Sequence, residues 1–334
     1  MDAPLWTDTH APELAELPQD DAREYLQRAV EEPINLLLQG PPGSGKTAAA
    51  RALAHEAHAD PDNDLIEINV ADFFSRTKTE IKNDPRFEQF LVGRSRLSKR
   101  DMINRVLKES ASYASVSGEY KTILLDNAED VREDFQQALR RIMEQHHRTT
   151  QFVIATRQPS KLIPPIRSRC FPVPFRSPTT EETAAILERI VEAEAADYDA
   201  DGLEFVAGYA NGNLRQAILA AQTTVEAEGE LTMSAAYETI GEVGLDEEVE
   251  SMLEDAESGA FMDARKTLDD LLVDEGLDGE EVLEELLGVA RKRYQGEKLA
   301  RIHRLAADVE FEMHEGSSDR IHVSHLLAEL GRDV

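Results

Sequence analysis

The feature that most constrains the fold is a glycine-rich loop between an apolar run and an alanine-rich run. The loop reads Gly40-Pro41-Pro42-Gly43-Ser44-Gly45-Lys46-Thr47. Its spacing matches GxxxxGK(S/T), the pattern of a phosphate-binding loop, provided that a strand precedes it and a helix follows it. Residues 34–38 are typical of a buried strand and residues 48–59 of a helix. The sequence therefore predicts a nucleotide-binding α/β domain with a parallel sheet.

The residue types in this loop fit the chemistry of triphosphate binding. Glycines permit positive φ and close backbone approach, so successive N–H groups converge on phosphate oxygens at the positive end of the helix. Lys46 is expected to neutralise the β- and γ-phosphates, and Thr47 to ligate Mg²⁺. ATP and Mg²⁺ are therefore the expected cofactors, and the alternative is a glycine turn that binds no ligand.

A second apolar strand, residues 121–126, ends in Asp126 in the manner of a Walker B motif. An acid at the carboxyl end of such a strand can hold Mg²⁺ opposite the phosphate loop. The next residue is Asn127, where ATPases of this type usually carry a glutamate that polarises the attacking water. An amide cannot take a proton, so this departure bears directly on hydrolysis.

The length of 334 residues suits two or three domains, and the net charge of −30 limits the kind of partner. An acidic surface repels phosphate, which argues against nucleic acid as a partner. The other interpretation is a surface adapted to a salty cytoplasm, with contacts concentrated in local basic patches. The second is favoured because the acidic excess is spread along the chain, and high salt shortens the reach of repulsion.

Residues 76–108 form one such basic patch. They hold ten basic residues against four acidic ones in an otherwise acidic chain. Either this is a solvated helix-loop-helix whose charges pair with acidic neighbours, or it is a surface that contacts the phosphate backbone of a nucleic acid.

The sequence also indicates where the protein works. Cys170 is the one cysteine, which excludes an intramolecular disulfide and fits a reducing compartment. The N-terminus lacks the basic and then apolar segments of a signal peptide, and no apolar run approaches ~18 residues. We therefore expect a soluble, cytoplasmic protein without a membrane partner.

The second half of the chain is expected to be helical. Residues 164–170 contain two prolines, which are predicted to keep this segment out of helix and to hold Arg169 on a constrained loop. From residue 177 onward almost all of the chain is predicted to be helix, with Asn213 as a helix cap and four or five helices after residue 245.

Taken in order, these motifs resemble those of the replication factor C small subunits, the archaeal and eukaryotic sliding-clamp loaders among the AAA+ ATPases, and the acidity suits a haloarchaeal member. The matching segments are residues 6–12, 40–47, 67–72, 125–126, 137–141, 168–170, 212–215 and 305–330. The tripeptide Ser168-Arg169-Cys170 in this setting is specific to the family, whereas the glycine loop alone occurs in many NTPases.

The resemblance implies a domain order and a set of partners. An α/β AAA+ P-loop domain with a parallel sheet is expected over residues 1–175, a small helical lid over residues 176–240, and an all-helical collar over residues 241–334. The implied partners are other replication factor C subunits in a hetero-oligomeric ring, a sliding clamp and primer-template DNA.

The resemblance also implies roles for single residues. Arg169 matches an arginine finger that reaches the γ-phosphate in a neighbouring subunit, and Arg215 matches the sensor-2 arginine of the chain's own site. The helix that holds Arg105 and Lys108 matches the family helix that follows the DNA backbone. The alternatives are a surface arginine on a stiffened loop for Arg169 and an arginine bonded to the collar for Arg215.

Departures from the family pattern concern catalysis. Asn127 replaces the Walker B glutamate, Arg157 stands where the sensor-1 asparagine is expected, and residues 9–12 differ from the family's adenine contacts. We therefore hypothesise that the chain binds ATP but hydrolyses it weakly, while Arg169 serves a neighbour. The rival interpretations are an AAA+ remodelling or branch-migration motor with Glu129 as base, and a non-hydrolysing scaffold subunit gated by nucleotide.

Overall fold

The computed structural model describes residues 4–70, 77–83, 98–112, 115–116, 118, 120–130, 132–241, 246–273, 278–315 and 318–333. The chain divides into two compact units, Met1–Ala236 and Tyr237–Val334. Residues 84–97, the middle of the basic patch, lie outside the described residues.

The described part of the first unit contains a five-stranded parallel sheet, which confirms the predicted α/β class. The strands are β1 (Leu36–Gln39), β2 (Leu65–Asn69), β3 (Lys121–Asp126), β4 (Thr150–Thr156) and β5 (Phe171–Pro174). Their order across the sheet is β2-β3-β4-β1-β5, so β1 lies between β4 and β5. In this register Leu38 pairs with Ala155 on one side and Val173 on the other.

Helices cover both faces of this sheet, which explains why the strands are continuous apolar runs. In chain order they are α1 (Trp6–Thr9), α2 (Asp20–Glu31), α3 (Lys46–Ala57), α4 (Pro61–Asp64), α5 (Lys78–Asn83), α6 (Lys99–Ser112), α7 (Glu133–His146) and α8 (Pro164–Arg167). Leu36 and Leu38 belong to the apolar cluster that includes residues of α2 and α3. Leu37 and Ile123 belong to the opposite cluster, with residues of α6 and α7.

The prediction that residues 164–170 avoid helix is wrong for the first four of them. Pro164 begins the one-turn helix α8, with Ile163 as its cap. Proline is tolerated in the first turn of a helix because the N–H that it lacks has no partner there. The turn places Ile166 in the core, and Arg169 follows it with its backbone N–H donating to the Ile166 carbonyl at 2.9 Å.

Beyond the sheet the chain is mostly helical, as predicted, with two short strands that the sequence did not indicate. The elements are α9 (Thr180–Ala193), β6 (Asp197–Tyr198), α10 (Ala200–Tyr209), α11 (Leu214–Glu228), β7 (Glu230–Leu231) and α12 (Met233–Gly241). The predicted cap at Asn213 is confirmed, because its side chain accepts a hydrogen bond from the Gln216 backbone N–H at 3.2 Å. A capping box between Thr179 and Glu182 starts α9.

The second unit is a bundle of helices around its own apolar core. Its described residues form α13 (Asp246–Glu257), α14 (Phe261–Val273), α15 (Gly279–Arg293), α16 (Gly296–Glu315) and α17 (Asp319–Leu330), in agreement with the four or five helices expected. No helix among the described residues is both long and apolar enough to cross a membrane. The domain boundaries at 175/176 and 240/241 stay predictions.

Candidate nucleotide site

The glycine loop joins the carboxyl end of β1 to the first turn of α3, so the predicted strand, loop and helix follow one another. Two of its glycines have backbone conformations that side chains disfavour, with φ of 67° at Gly43 and 91° at Gly45. Gly45 is the N-cap of α3, and the helix begins at Lys46, two residues earlier than the sequence predicted. The loop therefore lies where the helix presents its free backbone N–H groups.

The ammonium group of Lys46 lies across its own loop. Nζ donates to the carbonyl oxygens of Gly40 and Pro41 at 2.8 and 2.6 Å. Burial lowers the pKa of Lys46, while the nearby carboxylates of Asp126 and Glu129 act in the opposite direction. The lysine thus supplies a positive charge beside the loop, and its role at the phosphates stays a prediction.

Thr47 and Asp126 meet although 79 positions separate them in the chain. The Thr47 hydroxyl donates to Asp126 Oδ2 at 2.8 Å, and the Asn127 backbone N–H donates to Asp126 Oδ1 at 3.0 Å. Burial raises the pKa of Asp126, and the hydrogen bond from Thr47 opposes this shift. A hydroxyl and a carboxylate are the hard oxygen ligands that Mg²⁺ prefers, so the pair fits the metal predicted for it.

These groups border a cleft of about 270 Å³. Its lining residues are Pro42, Lys46, Asp126, Asn127, Glu129, Ala155, Thr156 and Arg157. Asn127 is exposed and has φ of 52°, a left-handed conformation that asparagine tolerates better than most residues. The cleft therefore has an amide at the position where the family pattern has a glutamate.

Glu129 and Arg157 form an ion pair in the wall of this cleft. Arg157 Nε lies 2.9 Å from Glu129 Oε1, and the Thr156 hydroxyl donates to Oε2 at 2.6 Å. Burial acts to raise the pKa of Glu129, but the hydrogen bond from Thr156 and the charge of Arg157 contribute to a net lowering. The sequence singled out both residues separately. Their pairing depends on β3 and β4 being neighbours in the sheet, which no local pattern indicates.

Two other segments of the first unit hold the loop in place. The Leu214 backbone N–H, at the start of α11, donates to the Gly43 carbonyl at 3.0 Å. The buried side chain of Gln19 donates through Nε2 to the carbonyl oxygens of Ser44 and Arg176, at 3.0 Å in each case. The loop is therefore fixed by its surroundings as well as by its own glycines.

Comparison with known proteins agrees with this geometry. The model of the ATPase family associated with various cellular activities (AAA) matches residues 36–176, and the replication factor C C-terminal domain matches residues 245–329. The replication factor C small subunit of Staphylothermus marinus is 31% identical over 98% of this chain and 94% of its own length. The corresponding protein of Halobacterium salinarum is 30% identical over 98% and 95%. The chain belongs to the replication factor C small subunit family.

Solved structures agree on the fold. Two mutants of RuvB from Thermotoga maritima align with TM-scores of 0.51, at 16% and 15% identity, over 82% of this chain and 84% of theirs. At this identity the likeness concerns the fold alone. The predicted AAA+ fold and the resemblance to replication factor C are thus both confirmed.

The family's expected arginine finger, Arg169, is held by its own chain at the end of α8. Nη1 donates to the Pro165 carbonyl at 2.7 Å, and Nη2 donates to Glu144 Oε1 on α7 at 2.5 Å. The same Glu144 oxygen lies 3.9 Å from Arg140 Nε. Arg169 is partly exposed and is not one of the described residues that line the cleft, so its role at a phosphate stays a prediction.

The remaining family positions lie on two helices. Arg215 is exposed in the first turn of α11, next to the residue that bonds to the glycine loop. On α6, Arg105 pairs with Glu109 at 3.1 Å, as expected for a solvated helix, while Lys108 is exposed. Their predicted roles, at the nucleotide and on DNA, stay predictions.

Proposed function

We propose that this chain is a subunit of a sliding-clamp loader, and that it binds ATP and Mg²⁺ through residues 40–47 and Asp126. The observation that carries the proposal is that the glycine loop, Lys46 and the Thr47–Asp126 pair lie together at one edge of the sheet. The chain that holds them belongs to the replication factor C family. Its partners are other replication factor C subunits, a sliding clamp and primer-template DNA.

The arrangement of the loop supports a triphosphate as the ligand. The N–H groups of residues 43–47 lie at the positive end of α3, and Lys46 adds a full charge beside them. Lys46 now donates to loop carbonyls, which are neutral acceptors, and a phosphate oxygen would be a stronger acceptor for the same ammonium group. Thr47 and Asp126 would hold Mg²⁺, which neutralises charge on the phosphates when bound.

Weak hydrolysis is the second part of the proposal. Asn127 cannot accept a proton from water. Glu129, the carboxylate of the wall that is not assigned to the metal, already accepts hydrogen bonds on Oε2 from the Thr156 hydroxyl and the Arg157 backbone N–H, and neither bond depends on the Arg157 side chain. A carboxylate that accepts two fixed hydrogen bonds on one oxygen and has a lowered pKa is a poor general base. This argues against the rival motor in which Glu129 activates water. Loss of a base commonly costs two to three orders of magnitude in rate, or about 3–4 kcal/mol.

The roles of the arginines complete the proposal. Arg169 acts on the nucleotide of a neighbouring subunit, as the family resemblance implies. In its own chain it is bonded to Pro165 and Glu144 and is not among the described residues that line the cleft. Arg215 acts on the chain's own nucleotide, from the helix whose first residue contacts the loop. Lys108 and Arg105 contact the DNA backbone inside the ring, each through charge and without regard to base sequence.

Steady-state ATP turnover tests this proposal. The isolated chain is expected to turn over slowly, and a complex reconstituted with its partner subunits to turn over faster. Arg169→Ala should lower turnover of the complex without changing ATP affinity of the isolated chain. Arg167→Ala, an exposed arginine on α8, is the matched control and should change neither. Rapid hydrolysis by the isolated chain that survives Lys46→Ala would contradict the proposal.

A further inference from the structure

The ion pair in the wall of the cleft joins a buried carboxylate, Glu129, to an exposed guanidinium, Arg157. The Glu129 side chain is 3% exposed, whereas its partner Arg157 is 56% exposed. Glu129 lies in a short 3-10 helix, residues 128–130, and Arg157 follows the last residue of β4. The carboxylate is therefore held by the core, and the guanidinium can change its direction in solvent without disturbing packed side chains.

Glu129 keeps partners if the guanidinium leaves. Its Oε2 atom accepts from the Thr156 hydroxyl at 2.6 Å and from the Arg157 backbone N–H at 3.2 Å, while Oε1 faces Arg157 Nε. The two bonds to Oε2 come from groups fixed to the end of β4. Departure of the Arg157 side chain therefore removes one partner of the carboxylate and leaves its other oxygen satisfied.

Arg157 also shares the cleft with Lys46, the residue expected at the terminal phosphates. The two cations have two acids beside them, Asp126 and Glu129, and only Asp126 is required for the metal. A guanidinium in this position can bond a planar carboxylate or a phosphate with similar geometry. The third phosphate of ATP offers Arg157 a negatively charged acceptor that ADP lacks.

From this geometry we propose that Glu129 and the terminal phosphate of ATP compete for Arg157, so that the ion pair determines how strongly the site prefers ATP over ADP. The inference rests on the nucleotide site proposed above and deepens it. Arg157 binds the triphosphate directly. Glu129 acts through Arg157, as an internal competitor that weakens triphosphate binding.

The two substitutions have opposite expected effects. Arg157→Gln removes a charged hydrogen-bond partner and should weaken ATP binding by about 10- to 100-fold, with little change for ADP. Glu129→Gln removes the competing charge and should tighten ATP binding by about 3- to 10-fold, again with little change for ADP. A merely structural role for either residue would change both affinities together.

Isothermal titration of the full chain with ATP, a non-hydrolysable ATP analogue and ADP, each with Mg²⁺, measures the ratio of affinities. Arg28→Gln is the control, because it removes an exposed ion pair with Glu24 on α2 and should leave the ratio unchanged. Arg157→Lys keeps the charge and should retain part of the preference for ATP, so the contact between Arg157 and the phosphate remains testable if Glu129→Gln fails to fold.

The outcomes separate this inference from the proposed function. Opposite shifts of the ratio in the two variants support the competition. Wild-type protein that binds both nucleotides, loses both with Lys46→Ala, and keeps its ratio in Arg157→Gln and Glu129→Gln would overturn the inference and leave the nucleotide site intact. Wild-type protein that binds neither nucleotide would overturn both.

Discussion

A methyl group added at Gly43 would collide with the start of α11. The Cβ of Gly43→Ala would lie 1.8 Å from Asn213 Oδ1 and 2.4 Å from Asn213 Cγ, at a φ of 67°. Gly45→Ala is the matched control, because its φ is 91° but its nearest neighbour is Leu214 Cδ1 at 3.9 Å. Both variants carry backbone strain, and only the first carries the collision.

The structure sets the size of each effect. Left-handed backbone strain costs about 1–2 kcal/mol in either variant. In Gly43→Ala, α11 must also withdraw, which breaks the bond from Leu214 N–H to the Gly43 carbonyl at 3.0 Å. That bond contributes about 1 kcal/mol, and the cap at Asn213 about 1 kcal/mol more. We expect losses of about 1–2 kcal/mol for Gly45→Ala and about 3–4 kcal/mol for Gly43→Ala.

The protein carries its own probe for this measurement. Trp6 is the one tryptophan of the chain, is buried, and donates its backbone N–H to Gln222 of α11 at 2.9 Å. Its fluorescence during urea unfolding therefore reports on the first unit, next to the helix that the substitution displaces. Removing the clash with Asn213→Ala should reduce the cost of Gly43→Ala by about 1–2 kcal/mol. Equal losses for Gly43→Ala and Gly45→Ala would refute the contact between loop and helix.

Two further predictions concern buried titratable groups outside the loop. Cys170 is buried, and burial raises its pKa to about 12, so iodoacetamide at pH 8 should label it slowly in the native protein and rapidly in urea, as followed by mass spectrometry. Fast native labelling would show that the segment after Arg169 opens. Burial lowers the pKa of Lys121 to about 8 from an ordinary value of 10.5, while Asp64 opposes the shift. Because the unfolded chain then binds more protons between these values, stability should rise from pH 8 to pH 10 through this group. Lys121→Met should flatten that rise in urea midpoints taken at constant salt, and an unchanged slope would contradict the assignment.

Local patterns in the sequence predicted much of the site. The glycine loop, the carboxylate at the end of β3 and the cap at Asn213 each depend on a few consecutive residues, and each was found where the sequence indicated. The pattern at residues 164–170 does not indicate the short helix at Pro164, because proline usually breaks helices, whereas its ring fits the first helical turn.

Contacts between distant segments explain the rest of what was missed. The Glu129–Arg157 pair and the bond between Leu214 and Gly43 join residues from separate elements, so their spacing along the chain carries no signal. The two-residue strands β6 and β7 pair only because α9 and α11 bring them together, and two residues are too few to show an alternating pattern.

The side chain of Gln19 connects two segments of the first unit. Its single amide nitrogen spans the carbonyls of Ser44 and Arg176, and it is buried, so water is a poor substitute if either bond breaks. The glycine loop and the chain segment that leads into α9 are therefore coupled through one rigid planar group. A displacement of either segment that is large enough to break its hydrogen bond to Gln19 is therefore expected to move the other segment as well.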